Sequence, residues 1–194
     1  MKKVVSSLAL ICSCLLAGNV FDYDQWAEDL QTMIELNQNK SQTLAGSDIN
    51  KNLVRDDVEN YIKDKYKDDE FQKIMFLEAA KKLQQILTLP KQTSKNIHLK
   101  LDKQLLQVYT CRDYIIYKHS DVDVEKELEQ KAEFKSKVLN TSSRLEAYIE
   151  HKRMIPFKYQ IPSDKELKEQ KSECEKLYSK IKAESKKTTV LSVN

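Results

Sequence analysis

Only two glycines, Gly18 and Gly46, and three prolines, Pro90, Pro156 and Pro162, interrupt this chain of 194 residues. Sandwiches and doubly wound sheets need many tight turns with special backbone angles, so such scarcity excludes them and favours helices. Hydrophobic periodicity points the same way. Val58, Tyr61, Ile62 and Tyr66 form one stripe at helical spacing; Phe71, Ile74, Met75, Leu77, Ala80, Leu83, Ile86 and Leu87 form another. Asp68 and Asp69 between them make a natural break and cap. A third helix is expected over Leu99 to Lys118, although YTCRDYIIY also admits a strand. A fourth should start after Ser120 or Asp121 and run toward Met154, weakest at 140–143 (NTSS), where side chains compete for backbone hydrogen bonds. Ser163 and Glu166 form a capping box for a last helix, with Leu167, Cys174, Leu177, Tyr178 and Ile181 on its buried side. The expected fold class is all-α, an irregular bundle of about five helices with one EF-hand-like loop.

The N-terminus reads as a targeting segment. Lys2 and Lys3 precede the apolar run Val4 to Ala17, whose 14 residues fall short of the roughly 20 that a spanning helix needs. Cleavage after Ala17 or Gly18 would make the protein periplasmic or secreted. An alternative is lipid anchoring, because Ile11-Cys12-Ser13-Cys14 places an aliphatic and a small residue correctly before Cys14. The expected organisation is a signal peptide over 1–17, an N-terminal arm with a short helix over 18–47, a helical domain over 48–185 and a tail over 186–194. No later apolar run is long enough for a membrane span. After simple cleavage Cys111 and Cys174 remain, an even pair that an oxidising compartment would join as a disulfide.

Charge and chemistry exclude more than they suggest. Removing Lys2 and Lys3 from 33 basic groups leaves 31 against 30 acidic ones, so no basic surface for nucleic acid is expected. His98, His119 and His151 fit no H-E-x-x-H pattern, and Cys111 and Cys174 are no C-x-x-C pair. His119 and His151 would meet if the third and fourth helices packed antiparallel. No catalytic set is legible, so a non-enzyme is expected. A partner, if there is one, would be an envelope protein or a cell-wall component, held in a groove where Tyr109, Tyr114, Tyr117, Tyr148, Phe157 and Tyr159 converge.

One segment has ligand-like spacing. Residues 48–59, DINKNLVRDDVE, put Asp48, Asn50 and Asn52 at loop positions one, three and five. Val54 at seven offers a carbonyl, Asp56 sits at nine, and Glu59 at twelve can bind in bidentate fashion. A hard cation such as calcium wants six to eight oxygens in this order. Position six holds Leu53, where the loop wants glycine for a left-handed turn, at a cost on the order of 1 kcal/mol. The expected ion is therefore calcium, weakly held and structural; the alternative is a polar helix cap that binds no ion.

Thr43 to Ile62, TLAGSDINKNLVRDDVENYI, resembles the segment T-L-A-G-x-D-x-N-x-N-G-V-R-D-D-V-E-x-x-I of an uncharacterised family of secreted bacterial proteins. Asn140, Thr141, Arg144, Ala147 and Tyr148 match that family's second stretch, N-T-x-x-R-x-x-A-Y, and Cys111 and Cys174 are similar to its two later cysteines. The resemblance implies export, a helical body and a lone dockerin-like or EF-type calcium loop, and it supplies no activity. Leu53 departs from the family's glycine.

Overall fold

In a computed structural model, residues 43–119, 121–156 and 164–191 are described, with side chains as far as residue 184. The expected signal peptide, Cys14, the short helix of the arm, Phe157, Tyr159 and the Ser163 cap lie outside them. Six helices and no strand occupy the described residues: α1 (Asp56–Lys65), α2 (Glu70–Leu87), α3 (Lys95–His119), α4 (Val124–Val138), α5 (Ser142–Arg153) and α6 (Asp164–Leu191). The class is all-α, as the periodicity predicts. None of these helices is long and apolar enough to cross a membrane.

Local chemistry accounts for the helix ends. Asp69 caps α2 by accepting from the Gln72 amide at 3.0 Å. Asp123 does the same for α4, through Glu125 and Lys126. Such caps satisfy amides that the first helical turn leaves without partners. YTCRDYIIY is helical throughout α3, as the expectation of a third helix had it. Two sequence expectations need correction. The long fourth helix is two, because Leu139 closes α4 and Thr141 caps α5 by accepting from the Arg144 amide at 3.3 Å. The expected tail begins too early, since α6 continues to Leu191 with no proline or glycine after Pro162 to stop it.

Helix α2 is the centre of the bundle and packs against all five others. One side carries Phe76, Ala79, Ala80, Leu83, Ile86 and Leu87 into the main core, where Val58 and Ile62 of α1, Leu105 of α3, Phe134 and Val138 of α4, and Leu145 and Tyr148 of α5 meet them. Phe71 and Met75 turn the other way, into a smaller cluster with Cys111 and Ile115 of α3 and Cys174 and Ile181 of α6. Each such large apolar side chain contributes about 1.5–3 kcal/mol on burial. Cys111 and Cys174 form a disulfide with Cα atoms 5.5 Å apart, as the even pair suggested.

Arg112 crosses between the two clusters, only 1% exposed. Its guanidinium lies 4.4 Å above the Phe76 ring and bonds Glu127 at 2.7 Å and Gln72 at 2.6 Å. For Lys135, half-buried on α4, burial, with Lys152 and Lys131 nearby, pulls the ammonium down to about 8, against a smaller opposing pull from Asp102. Because the folded value is depressed, the charged form opposes folding below pH 8, and that cost fades as pH rises from about 8 toward 10.5. Lys135→Met should therefore stabilise the protein by about 1–2 kcal/mol at pH 7 and by little near pH 10.5. Urea titrations of both proteins at the two pH values check this; a gain independent of pH would reject charge as its cause.

Candidate cation loop and the polar latch beneath it

The loop ahead of α1 has the shape that its sequence requires. Leu53 takes the left-handed conformation at φ +68°, and Lys51 joins it at +55°. The Asp48 carboxylate accepts from the amides of Asn52 at 3.1 Å and Leu53 at 2.9 Å, closing the turn around position six. Leu53 is 52% exposed, so its side chain stands outside and the strain is confined to the backbone. Leucine at this position has not opened the loop.

The six candidate ligands do not all converge. Asn50 and Asn52 both donate their side-chain amides to Glu59, at 3.0 and 2.9 Å, so positions three, five and twelve are brought together. Their amide oxygens meanwhile accept from the backbone, Asn50 from Asn52 and Asn52 from Val54. Asp48 is turned to loop amides instead. Asp56 accepts from the Ser47 hydroxyl and the Ile49 amide. Val54 is buried in the core. Asn50, Asn52 and Glu59 are therefore neighbours through amide N–H donors, with the asparagine oxygens turned to the backbone, while the two aspartates are held by backbone amides and the Ser47 hydroxyl. Lys63, one turn along α1, sits 2.9 Å from Glu59. Its hydrogen bond, helped by those from Asn50 and Asn52, holds the Glu59 carboxyl below its ordinary range. Among the described residues no three His, Cys, Asp or Glu side chains surround one point. The donor set is rich in amides, which suits a hard cation in type and is poor in charge.

Beneath the loop lies a feature that spacing alone did not disclose. Arg55, only 2% exposed, turns inward and donates to the carbonyls of Val138 at 3.1 Å and Lys137 at 2.8 Å, at the end of α4. Asp57 pairs with the same guanidinium. Arg144, fully buried on α5, donates to the carbonyls of Thr43 at 2.7 Å and Leu44 at 3.3 Å. Asn140 joins the two, its oxygen accepting from both arginines and its amide donating to Asp57 at 3.3 Å. Burial beside Arg55 brings Arg144 down to about 10, so it still carries charge at neutral pH. The latch ties residues 43 and 44 to the break between α4 and α5. It also shows why helix four is interrupted: Asn140 and the last carbonyls of α4 face Arg55. The segments Thr43–Ile62 and Val138–His151, far apart in sequence, meet here.

The histidines also sort differently from expectation. His119 lies 3.5 Å from Glu175 of α6, while His151 pairs with His98, their Nδ1 atoms 2.9 Å apart. The reason is that α3 presents its first turns, not its last, to α5. Burial, then the neighbouring His151, lowers the His98 imidazole. Both rings lie at a cleft of about 670 Å³ lined by Leu44, Ile86, Pro90 and Met154 together with the carboxylates Glu146 and Glu150. The tyrosines make no common groove: Tyr148 belongs to the main core, Tyr109 packs against that core, Tyr114 packs against the disulfide cluster, and Tyr117 is half exposed. Comparison with protein-family models, with curated proteins and with solved structures finds no match. Function has to be read from the residues themselves.

Proposed function

We propose that this is an exported, non-catalytic helical protein whose Asp48–Glu59 loop takes up calcium weakly and stiffens the junction between the N-terminal arm and the bundle. The observation that carries this reading is the loop's left-handed turn at Leu53, held by the Asp48 carboxylate, with Asn50 and Asn52 gathered on Glu59. Asn50, Asn52 and Glu59 would hold the ion once the asparagine side chains turn their oxygens toward it, with Asp48 joining from the loop amides, and the ion would supply the counter-charge that Lys63 supplies otherwise. The role is static, since a single loop has no partner loop to couple to. The apolar run after Lys2 and Lys3 and the Cys111–Cys174 disulfide support export.

The hydrogen bonds already made to Glu59 favour a second reading, in which the loop is a polar cap for α1 and the protein is an interaction module for an envelope or cell-wall partner. Calorimetry and thermal unfolding of chelator-treated protein separate the two. Calcium should bind with a dissociation constant of about 10⁻⁴ to 10⁻³ M and raise the melting temperature at about 10 mM. Glu59→Gln should remove that rise. Leu53→Gly should tighten binding severalfold by relieving the left-handed leucine. Absence of both heat and thermal shift at 10 mM would leave only the cap.

A further inference from the structure

The floor of the cleft between α2, α3 and α5 holds a second, independent constellation. His98 is 8% exposed and His151 is 1% exposed, and their Nδ1 atoms face each other at 2.9 Å. Behind His151, its Nε2 meets Asp102 Oδ1 at 3.4 Å. Asp102, four residues after His98 on α3, is itself 4% exposed and accepts from the Lys152 ammonium at 2.8 Å. The oxygen that accepts from Lys152 is also the one that meets His151 Nε2, so the His151 proton belongs on Nε2 and its Nδ1 turns a lone pair toward His98. That is the arrangement by which a carboxylate orients a metal-binding imidazole from behind.

We propose that His98 and His151 bind a divalent transition-metal ion through their Nδ1 atoms, with the remaining coordination positions open to the cleft. In the metal-free state the only group between the two nitrogens is the His98 Nδ1 proton. Moving that proton to Nε2 of the same ring frees a second lone pair without loss of charge balance. An ion about 2.0–2.1 Å from each nitrogen would see the pair, at its present spacing, at about 90°. A tetrahedral angle would need the rings to separate by about 0.4 Å. The present spacing therefore favours the square or tetragonal geometry of Cu²⁺ over tetrahedral Zn²⁺, and the general affinity order agrees. Since no third His, Cys, Asp or Glu joins them among the described residues, water or a donor atom of a molecule in the cleft completes the shell. Leu44, Ile86, Pro90 and Met154 line that space together with Glu146 and Glu150, so a small ligand with an apolar body and a nitrogen donor fits it. The calcium loop uses none of these residues.

The test is copper binding by tag-free, chelator-treated protein, followed by calorimetry and electron paramagnetic resonance. One Cu²⁺ per chain is expected, with splitting from two imidazole nitrogens, and Zn²⁺ should bind at least tenfold more weakly. His98→Gln and His151→Gln should each weaken copper at least tenfold, whereas Glu59→Gln and His119→Gln should leave it within twofold. Circular dichroism checks that each variant folds; if His151→Gln does not, His98→Gln decides alone. Copper retained by folded His98→Gln, copper lost in His119→Gln, or a wild-type signal without two-nitrogen splitting would each overturn the proposal.

Discussion

Gly46→Ala is expected to destabilise the protein by about 3 kcal/mol, far more than an exposed loop substitution normally does. Gly46 sits at φ +66°, where a Cβ costs on the order of 1 kcal/mol on its own. That Cβ would also lie 2.1 Å from Arg55 Cδ and 2.7 Å from Cγ, the middle of a buried stem and not its free end. Arg55 would have to leave the carbonyls of Lys137 and Val138, and a buried polar group without a partner costs about 1–3 kcal/mol. Urea unfolding, with the slope unchanged and the midpoint lowered, is the measurement. In an Arg55→Ala background the same glycine change should cost only the backbone part, about 1 kcal/mol, because the obstructing stem is gone. Equal costs in both backgrounds would show that Gly46 and Arg55 do not crowd one another.

Removing the disulfide should have the other large effect. Cys111 and Cys174 are 63 positions apart, and closing a loop of that size is worth about 4 kcal/mol in the chain-entropy model. Helix α6 is otherwise held mainly by side-chain packing, with Tyr178 edge-on to Phe71 at 5.1 Å and stacked on His119 at 4.9 Å. Its contribution to the small cluster is Cys174, Ile181 and the partly buried Tyr178, against Phe71, Met75 and Ile115. The ion pair of Glu175 with Lys118 is solvent-facing and adds little. The double substitution of both cysteines by alanine should therefore lower stability by about 3–4 kcal/mol and open α6 to protease before the rest of the bundle. Reductant should reproduce the effect in the wild type. A loss below about 1 kcal/mol, or two free thiols in native protein, would contradict it.

Helix α2 shows how much a local pattern can carry. Its stripe from Phe71 to Leu87 and the cap at Asp69 are visible in the sequence because a 3.6-residue period and a side chain accepting from an amide three residues on are both short-range facts. The cysteine pair was legible too, by compartment and parity. In the loop, spacing singled out Asn50, Asn52 and Glu59, which the structure joins by amide-to-carboxylate hydrogen bonds, while Asp48 and Asp56 accept from backbone donors whose positions depend on the turn itself.

What the sequence determined by itself was therefore the helical class, the cap at Asp69 and the oxygen-rich loop, all set by neighbours within a turn or two. Tertiary structure alone decided the fate of the buried ions. Arg55 and Arg144 look like ordinary surface arginines in a charged chain, and only the meeting of distant segments shows them, with Arg112, sealed inside. Likewise His151 pairs with His98 and not His119 because of which end of α3 faces α5. A buried charge or imidazole persists only where several elements together supply partners, and that condition is written in no single stretch of residues.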